Sequence, residues 1–295
     1  APHYFAVQWA LGNALVRNGD LNVGFDEIKA AARSPVYSGP AVTLAWQLFD
    51  GDLQRVRSAI GDSDTINAAL VGILAREKRF VEAFDVWDTL TPEVDTAAYE
   101  KSGEEFLTQL VEAKRFRDAN AVASKTFAEK DVRPSIGKVL DGGFEGNIKM
   151  QKALLFEWQI GDASQTKIGL DDQQKHGGAR SLAIIFNSPD GKQFRPVSQT
   201  VAVEPGRQYS LTVFYKSEIK DSKGVKWEIS DMSGRVLAAT KAATGITDWS
   251  LLSAEFTAPT ETDAIILRLV PEKCGSTVCP LAGRIWFDDV SLGSE

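Results

Sequence analysis

From Tyr4 to about Lys130, apolar residues recur at three- and four-residue spacing, as in Phe80, Ala83, Phe84, Trp87 and Leu90. That period predicts a series of amphipathic helices. The breaks at Asn18-Gly19-Asp20, Asp50-Gly51-Asp52 and Lys78-Arg79 are short and polar, and they read as tight turns between antiparallel helices. At Val132-Arg133-Pro134 the texture changes, because proline discourages continuation of a helix. Short alternating segments follow. They predict strands at 181–186, 199–203, 209–216, 225–230, 251–256, 264–270 and 284–292. No stretch between them is long enough for a crossover helix, so the sheets should be antiparallel. Seven or more such strands with regular turns suggest a β-sandwich or jelly roll. The expected fold class is multidomain α plus β: an α-helical repeat (solenoid) over 1–133, then an antiparallel sandwich over 134–295.

The helical part contains a repeat. Lys78-Arg79-Phe80, followed by Val81-Glu82-Ala83, recurs 36 positions later as Lys114-Arg115-Phe116, followed by Arg117-Asp118-Ala119. A period in the mid-thirties suggests stacked helix-turn-helix units. The first unit reads Trp9, Leu11-Gly12, Leu15, Gly19, then Ile28, Ala31 and Pro35. It resembles a tetratricopeptide repeat, and the resemblance extends over roughly residues 4–130. It implies a surface for a protein partner, or a scaffold that supports the second half. Trp9, Trp46 and Trp87 are expected in the helix-pair core rather than at a ligand.

The second half carries Asp141-Gly142-Gly143-Phe144-Glu145, Trp158, and His176-Gly177-Gly178-Ala179-Arg180-Ser181-Leu182. Val197-Ser198-Gln199-Thr200-Val201, Pro205-Gly206, Tyr209-Ser210-Leu211 and Trp286-Phe287-Asp288-Asp289-Val290-Ser291-Leu292 follow. In that order they resemble the galactose-binding-like jelly rolls, especially carbohydrate-binding modules attached to xylanases and glucanases, over about residues 137–293. The resemblance implies a possible structural calcium ion tying the first strand to the last. Glu145 and Asp288 match the carboxylate positions, and the carbonyls of Gly143 and Ala179 could complete the set. Calcium wants six to eight oxygens. The alternative is that both carboxylates accept hydrogen bonds from loop amides.

Sugars stack on aromatic faces flanked by polar groups. Side chains alternate between the faces of a strand, so parity sorts the candidates. With Leu211, Val213 and Tyr215 inward, Thr212, Phe214 and Lys216 point out. With Ile265, Leu267 and Leu269 inward, Ile266 and Arg268 point out. With Leu182, Ile184 and Phe186 inward, Ile185 points out. With Val290 and Leu292 inward, Ile285 and Phe287 point out. The outer set Ile185, Phe214, Ile266, Ile285 and Phe287 is apolar and reads as a docking face for the repeat or another protein. Phe214, Lys216 and Arg268, with Phe194, Trp227 and Trp249 near loops, are the ligand-binding candidates.

The net charge of −7 and pI near 5.1 argue against nucleic acid as a partner. No run approaches the ~18 apolar residues of a membrane span. Ala1 opens the chain without methionine, and helix-like sequence begins by Tyr4, so a mature form or excised piece is expected. Cys274 and Cys279, in CGSTVC, read as a small-loop disulfide in an oxidising compartment or as two reduced thiols. With His3 and His176 the only histidines, zinc lacks ligands and a nucleophilic triad lacks context. No phosphate loop, dinucleotide fingerprint or HExxH motif occurs. The adjacent pairs Asp171-Asp172 and Asp288-Asp289 should point apart, unlike the facing carboxyls of a glycosidase. Two readings result. One is a non-catalytic, exported protein of the bacterial envelope (periplasmic, cell-surface or secreted), with a repeat for protein contacts and a jelly roll for polysaccharide. The other is a structural scaffold whose sandwich packs on the repeat and binds no sugar.

Overall fold

The computed structural model describes residues 4–91, 96–126, 133–162, 166–188, 194–220, 223–273 and 280–294. Among them are eight helices followed by ten strands. The chain packs as two compact units, one of Ala1–Arg115 with Lys125–Phe127 and one of Phe116–Ser124 with Ala128–Glu295.

The helices are α1 (Phe5–Arg17), α2 (Leu21–Ala31), α3 (Pro35–Leu48), α4 (Leu53–Ile60), α5 (Asp64–Arg76), α6 (Phe80–Trp87), α7 (Thr96–Glu112) and α8 (Phe116–Thr126). They fit a succession of helical repeats, and the turns show why. After α1, α3, α5 and α7 the chain turns into a left-handed backbone at Gly19 (φ 92°), Asp50 (53°, with Gly51 at 72°), Lys78 (59°) and Lys114 (58°). The next amide then reaches back five residues in every case: Asp20 to Leu15, Gly51 to Trp46, Arg79 to Leu74 and Arg115 to Leu110, at 2.8–3.0 Å. This is the Schellman arrangement, which satisfies carbonyls left over at a helix end. The two KRF motifs act alike. The Arg79 guanidinium lies 5.0 Å from the Trp46 ring centre, and that of Arg115 lies 4.9 Å from Phe80, each aromatic belonging to an earlier helix. Within the first helix pair, a Cβ at Gly12 would lie 2.7 Å from Ile28 Cγ1 and 2.8 Å from the Gly24 carbonyl oxygen. Glycine there lets α1 and α2 approach closely. Trp87 is buried, stacked on Tyr99 at 4.6 Å.

The strands are β1 (Gln159–Ile160), β2 (Thr166–Asp171), β3 (Ser181–Ser188), β4 (Val197–Ala202), β5 (Gln208–Glu218), β6 (Val225–Asp231), β7 (Val236–Ala239), β8 (Ile246–Thr257), β9 (Ala264–Pro271) and β10 (Leu281–Ser294). They form two five-stranded sheets, β1-β4-β9-β6-β7 and β2-β3-β10-β5-β8, and every described pairing is antiparallel. The core between them holds Phe144, Trp158, Leu182, Ile184, Leu211, Val213, Trp227, Ile265, Leu267 and Phe287. Each large side chain buried there contributes about 1.5–3 kcal/mol relative to exposure. Within this unit the α8 amide of Arg117 donates to Asp263 Oδ2 at 2.9 Å.

The alternation locates seven of these strands. It passes over β1, β2 and β7, which are two to six residues long. Parity holds on β3, β5 and β9, where Ile185, Phe214 and Arg268 lie on outer faces and their neighbours are buried. It fails on β10. Ile285 and Phe287 are fully buried, together with Val290 and Leu292. The register against β5 shifts between Asp288 and Ser291, and Asp289 has φ 47°. One extra residue in a bulge exchanges odd for even positions, so both halves of β10 face the core. The five-residue apolar outer patch therefore does not exist. Ile185 and Phe214 lie on one sheet, Ile266 lies on the other, and Ile285 and Phe287 are inside. Cys274 and Cys279 lie outside the described residues.

Candidate functional site

The outer face of the β2-β3-β10-β5-β8 sheet gathers most of the unusual side chains. Phe214 on β5 pairs across to Leu251 on β8 and to Asp288 on β10, and Lys216 pairs to Trp286. Leu251 is exposed, while Phe214, Lys216 and Trp249 are half-buried. Lys216 Nζ lies 3.1 Å from Asp248 Oδ1, and Arg284 Nη2 lies 2.6 Å from Glu218 Oε2. Exposed pairs of this kind add ~0–1 kcal/mol each, so they shape the rim rather than hold the fold. Trp286 is on this face yet buried, with its indole N–H donating to Asp171 Oδ2 at 2.8 Å. Burial works against the charge of Asp171, but hydrogen bonds from Trp286 and the amides of Gln173 and Gln174 hold its carboxyl below the ordinary value.

The segment between β2 and β3 folds over part of this face and brings His176 onto Phe214. The two rings are stacked, with centroids 3.7 Å apart and planes 13° from parallel, and Trp249 tilts against the imidazole at 5.6 Å. Two carboxylates of β10 fix the segment. Asp288 Oδ2 accepts from the amides of His176 (2.8 Å) and Gly177 (3.1 Å). Asp289 Oδ2 lies 2.7 Å from His176 Nδ1. Neighbouring strand residues normally point apart; the bulge lets Asp288 and Asp289 address the same loop, against the expectation from adjacency. From the other side, Glu145 Oε1 accepts from the amides of Ala179 (2.7 Å) and Arg180 (3.3 Å), while the Arg180 guanidinium donates to the Glu145 carbonyl. Glycines make room: a Cβ at Gly177 would lie 2.8 Å from Asp289 Oδ2, and one at Gly178, where φ is 53°, would lie 1.9 Å from Glu145 Oε1.

This geometry bears on the expected calcium site. Glu145 and Asp288 do converge on one loop, and Gly143 lies nearby, its Cβ position 3.8 Å from both Asp289 Oδ1 and Glu145 Cγ. Their oxygens, however, already accept amide hydrogens, three at Asp288 (His176, Gly177, Asp289) and two at Glu145 (Ala179, Arg180). Ala179 contributes its N–H here. Among the described residues no group of three or more His, Cys, Asp or Glu side chains could hold a metal ion. A hard cation that needs six to eight oxygens would have to draw most of them from backbone carbonyls and water beside these two carboxylates. Burial pushes the Asp288 carboxyl above its ordinary value, against the pull of the Gly177 and His176 amides.

The six ligand candidates therefore separate. Phe214, Lys216 and Trp249 share one face. Arg268 is on the outer face of the other sheet, 3.8 Å from Glu228 Oε2. Trp227 is fully buried, edge-on to Trp158 and Phe287. Phe194 stacks on the core residue Phe186 at 5.9 Å. His176, Asp289 and Trp286 were not among the candidates. The bulge that presents Asp289 has no strong sequence signature, although Asp tolerates a left-handed backbone better than most residues.

A search among curated proteins returned no match. Among solved structures, the sandwich is similar to one described as "CBM4 structure and function", at 17% identity and TM-score 0.40, covering 53% of this chain and 99% of that one. It is also similar to a TmCBM61 structure in complex with β-1,4-galactotriose, at 21% identity and TM-score 0.37, covering 52% and 96%. A third similar structure is the Clostridium thermocellum endo-1,4-β-D-xylanase 10B CBM22-1–GH10 modules complexed with xylohexaose, at 20% identity and TM-score 0.38, covering 55% of this chain and 29% of that one. Residues 137–273, which include His176, Phe214 and Trp249, match a family model described as a carbohydrate-binding domain.

Proposed function

We propose that the sandwich binds polysaccharide on the outer face of the β2-β3-β10-β5-β8 sheet, around Phe214, His176, Trp249 and Leu251. The match of residues 137–273 to a carbohydrate-binding domain carries the reading. The local geometry supports it: the His176 ring stacks on Phe214 and is flanked by Trp249, offering apolar faces, and Lys216, Asp248 and Asp289 stand beside them as hydrogen-bonding groups. That combination suits a sugar, whose C–H faces are apolar and whose edge is polar. The chain is read as non-catalytic and exported, with the helical repeats, of tetratricopeptide type, as a surface for protein contacts. No helix among the described residues is long and apolar enough to cross a membrane.

Affinity electrophoresis of the full chain through gels containing soluble xylan, mixed-linkage β-glucan, β-galactan or mannan tests the proposal. Retardation by at least one polymer is expected, and Trp249→Ala should weaken it about tenfold, the equivalent of ~1.4 kcal/mol. Migration unaffected by every polymer refutes the sugar-binding reading and favours the scaffold.

A further inference from the structure

The stack at the centre of this face has a definite order. Phe214 lies in the sheet and His176 lies over it, at a ring separation of 3.7 Å. That is van der Waals contact, so no third ring fits between them. We infer that His176 is the ring a sugar unit stacks on, with Phe214 as its backing and Trp249 as a side wall; the inference rests on the carbohydrate-binding reading.

Three features equip the imidazole for this role. It is held rigidly: Phe214 supports one face, Asp289 Oδ2 holds Nδ1 at 2.7 Å, and its own amide and that of Gly177 are fixed to Asp288 Oδ2. A side chain already fixed loses little freedom when a ligand arrives. It is also accessible, since the His176 side chain keeps 32% of its surface exposed although one face is covered. Finally, it has a polar edge. Asp289 Oδ2 engages Nδ1 at 2.7 Å, and Nε2, the other ring nitrogen, can exchange a hydrogen bond with a sugar hydroxyl while an adjacent unit rests on the ring. The bulge at Asp289 and the bare backbone of Gly177 and Gly178 are then parts of a mount for this one side chain.

The test uses the full chain and the soluble polysaccharide that retards it most. His176→Ala keeps the backbone amide bonded to Asp288 and should weaken binding about tenfold with an unchanged melting temperature. His176→Phe should retain most of the affinity through stacking. The chain has two histidines, so in a His3→Gln background diethyl pyrocarbonate reports on His176 alone. The polysaccharide should slow its modification several-fold. If the wild type is retarded but His176→Ala binds equally well, or if polysaccharide leaves the modification rate unchanged, His176 is not the platform and the sugar-binding reading survives. If the wild type is retarded by no polymer, both fall.

Discussion

Adjacent glycines in the motif that opens the sandwich should respond oppositely to the same substitution. A Cβ on Gly142 would lie 1.9 Å from the Val290 carbonyl oxygen and 2.9 Å from its carbon, both backbone atoms, where real Cβ atoms stay beyond 3.0 Å. The two segments must part by about an ångström in Gly142→Ala. The hydrogen bond from the Val290 amide to the Gly142 carbonyl, 2.9 Å long, is the first casualty. Overpacking costs ~1–3 kcal/mol, a lost hydrogen bond adds ~0.5–1.5 kcal/mol, and the stiffer unfolded chain returns ~0.4–1 kcal/mol. The net is a loss of about 2–3 kcal/mol. For a unit of this size that lowers the melting temperature by roughly 4–12 °C. A Cβ on Gly143 meets nothing closer than 3.8 Å, so Gly143→Ala should be neutral or stabilising by up to ~1 kcal/mol. Scanning calorimetry of the full chain measures both. Equal melting temperatures for Gly142→Ala and wild type, or a larger loss in Gly143→Ala, would show that the contact between this segment and β10 is not as tight as described.

Two further outcomes follow from the electrostatics. The Ser233 hydroxyl, the amides of Ser233 and Arg235, and the Arg235 side chain hold the Asp231 carboxyl down from 3.8 to about 2. A depressed folded-state value means that this stabilisation is complete above about pH 4 and is lost as pH falls toward 2. The melting-temperature gap between wild type and Asp231→Asn should therefore close on acidification; parallel curves would contradict the assignment. For Glu145 and Asp288, which already hold the loop through amide hydrogen bonds, chelator should leave the melting temperature unchanged. A drop reversed specifically by calcium would place the ion there.

Much of the architecture was legible because it rests on periodicity. Alternation placed seven strands, and on β5 it correctly set Phe214 and Lys216 opposite in sense to Leu211, Val213 and Tyr215. The turns of the helical half were legible too, since Asn-Gly and Asp-Gly mark left-handed positions, although Lys78 and Lys114 adopt the same backbone with no such signal. Trp227 could have been withdrawn as a ligand candidate from the sequence, for it shares the parity of Val225 and Ile229. The limit came at β10, where one bulged residue reverses the parity and nothing in Asp288-Asp289 announces it. The aromatic cluster was illegible for a different reason. It joins a loop residue, His176, to strand residues 38 and 73 positions away, and only the sheet order brings them together.

The hydrogen bond between Val290 and Gly142 has a consequence for portability. Where the chain enters the sandwich and where it leaves are a single peptide contact apart. A domain whose ends meet can be spliced into a host loop, or reopened elsewhere after its ends are joined, without stretching its sheets. Carried in that way, the His176 mount would travel intact, because Glu145, Asp288 and Asp289, which hold it, sit beside the join.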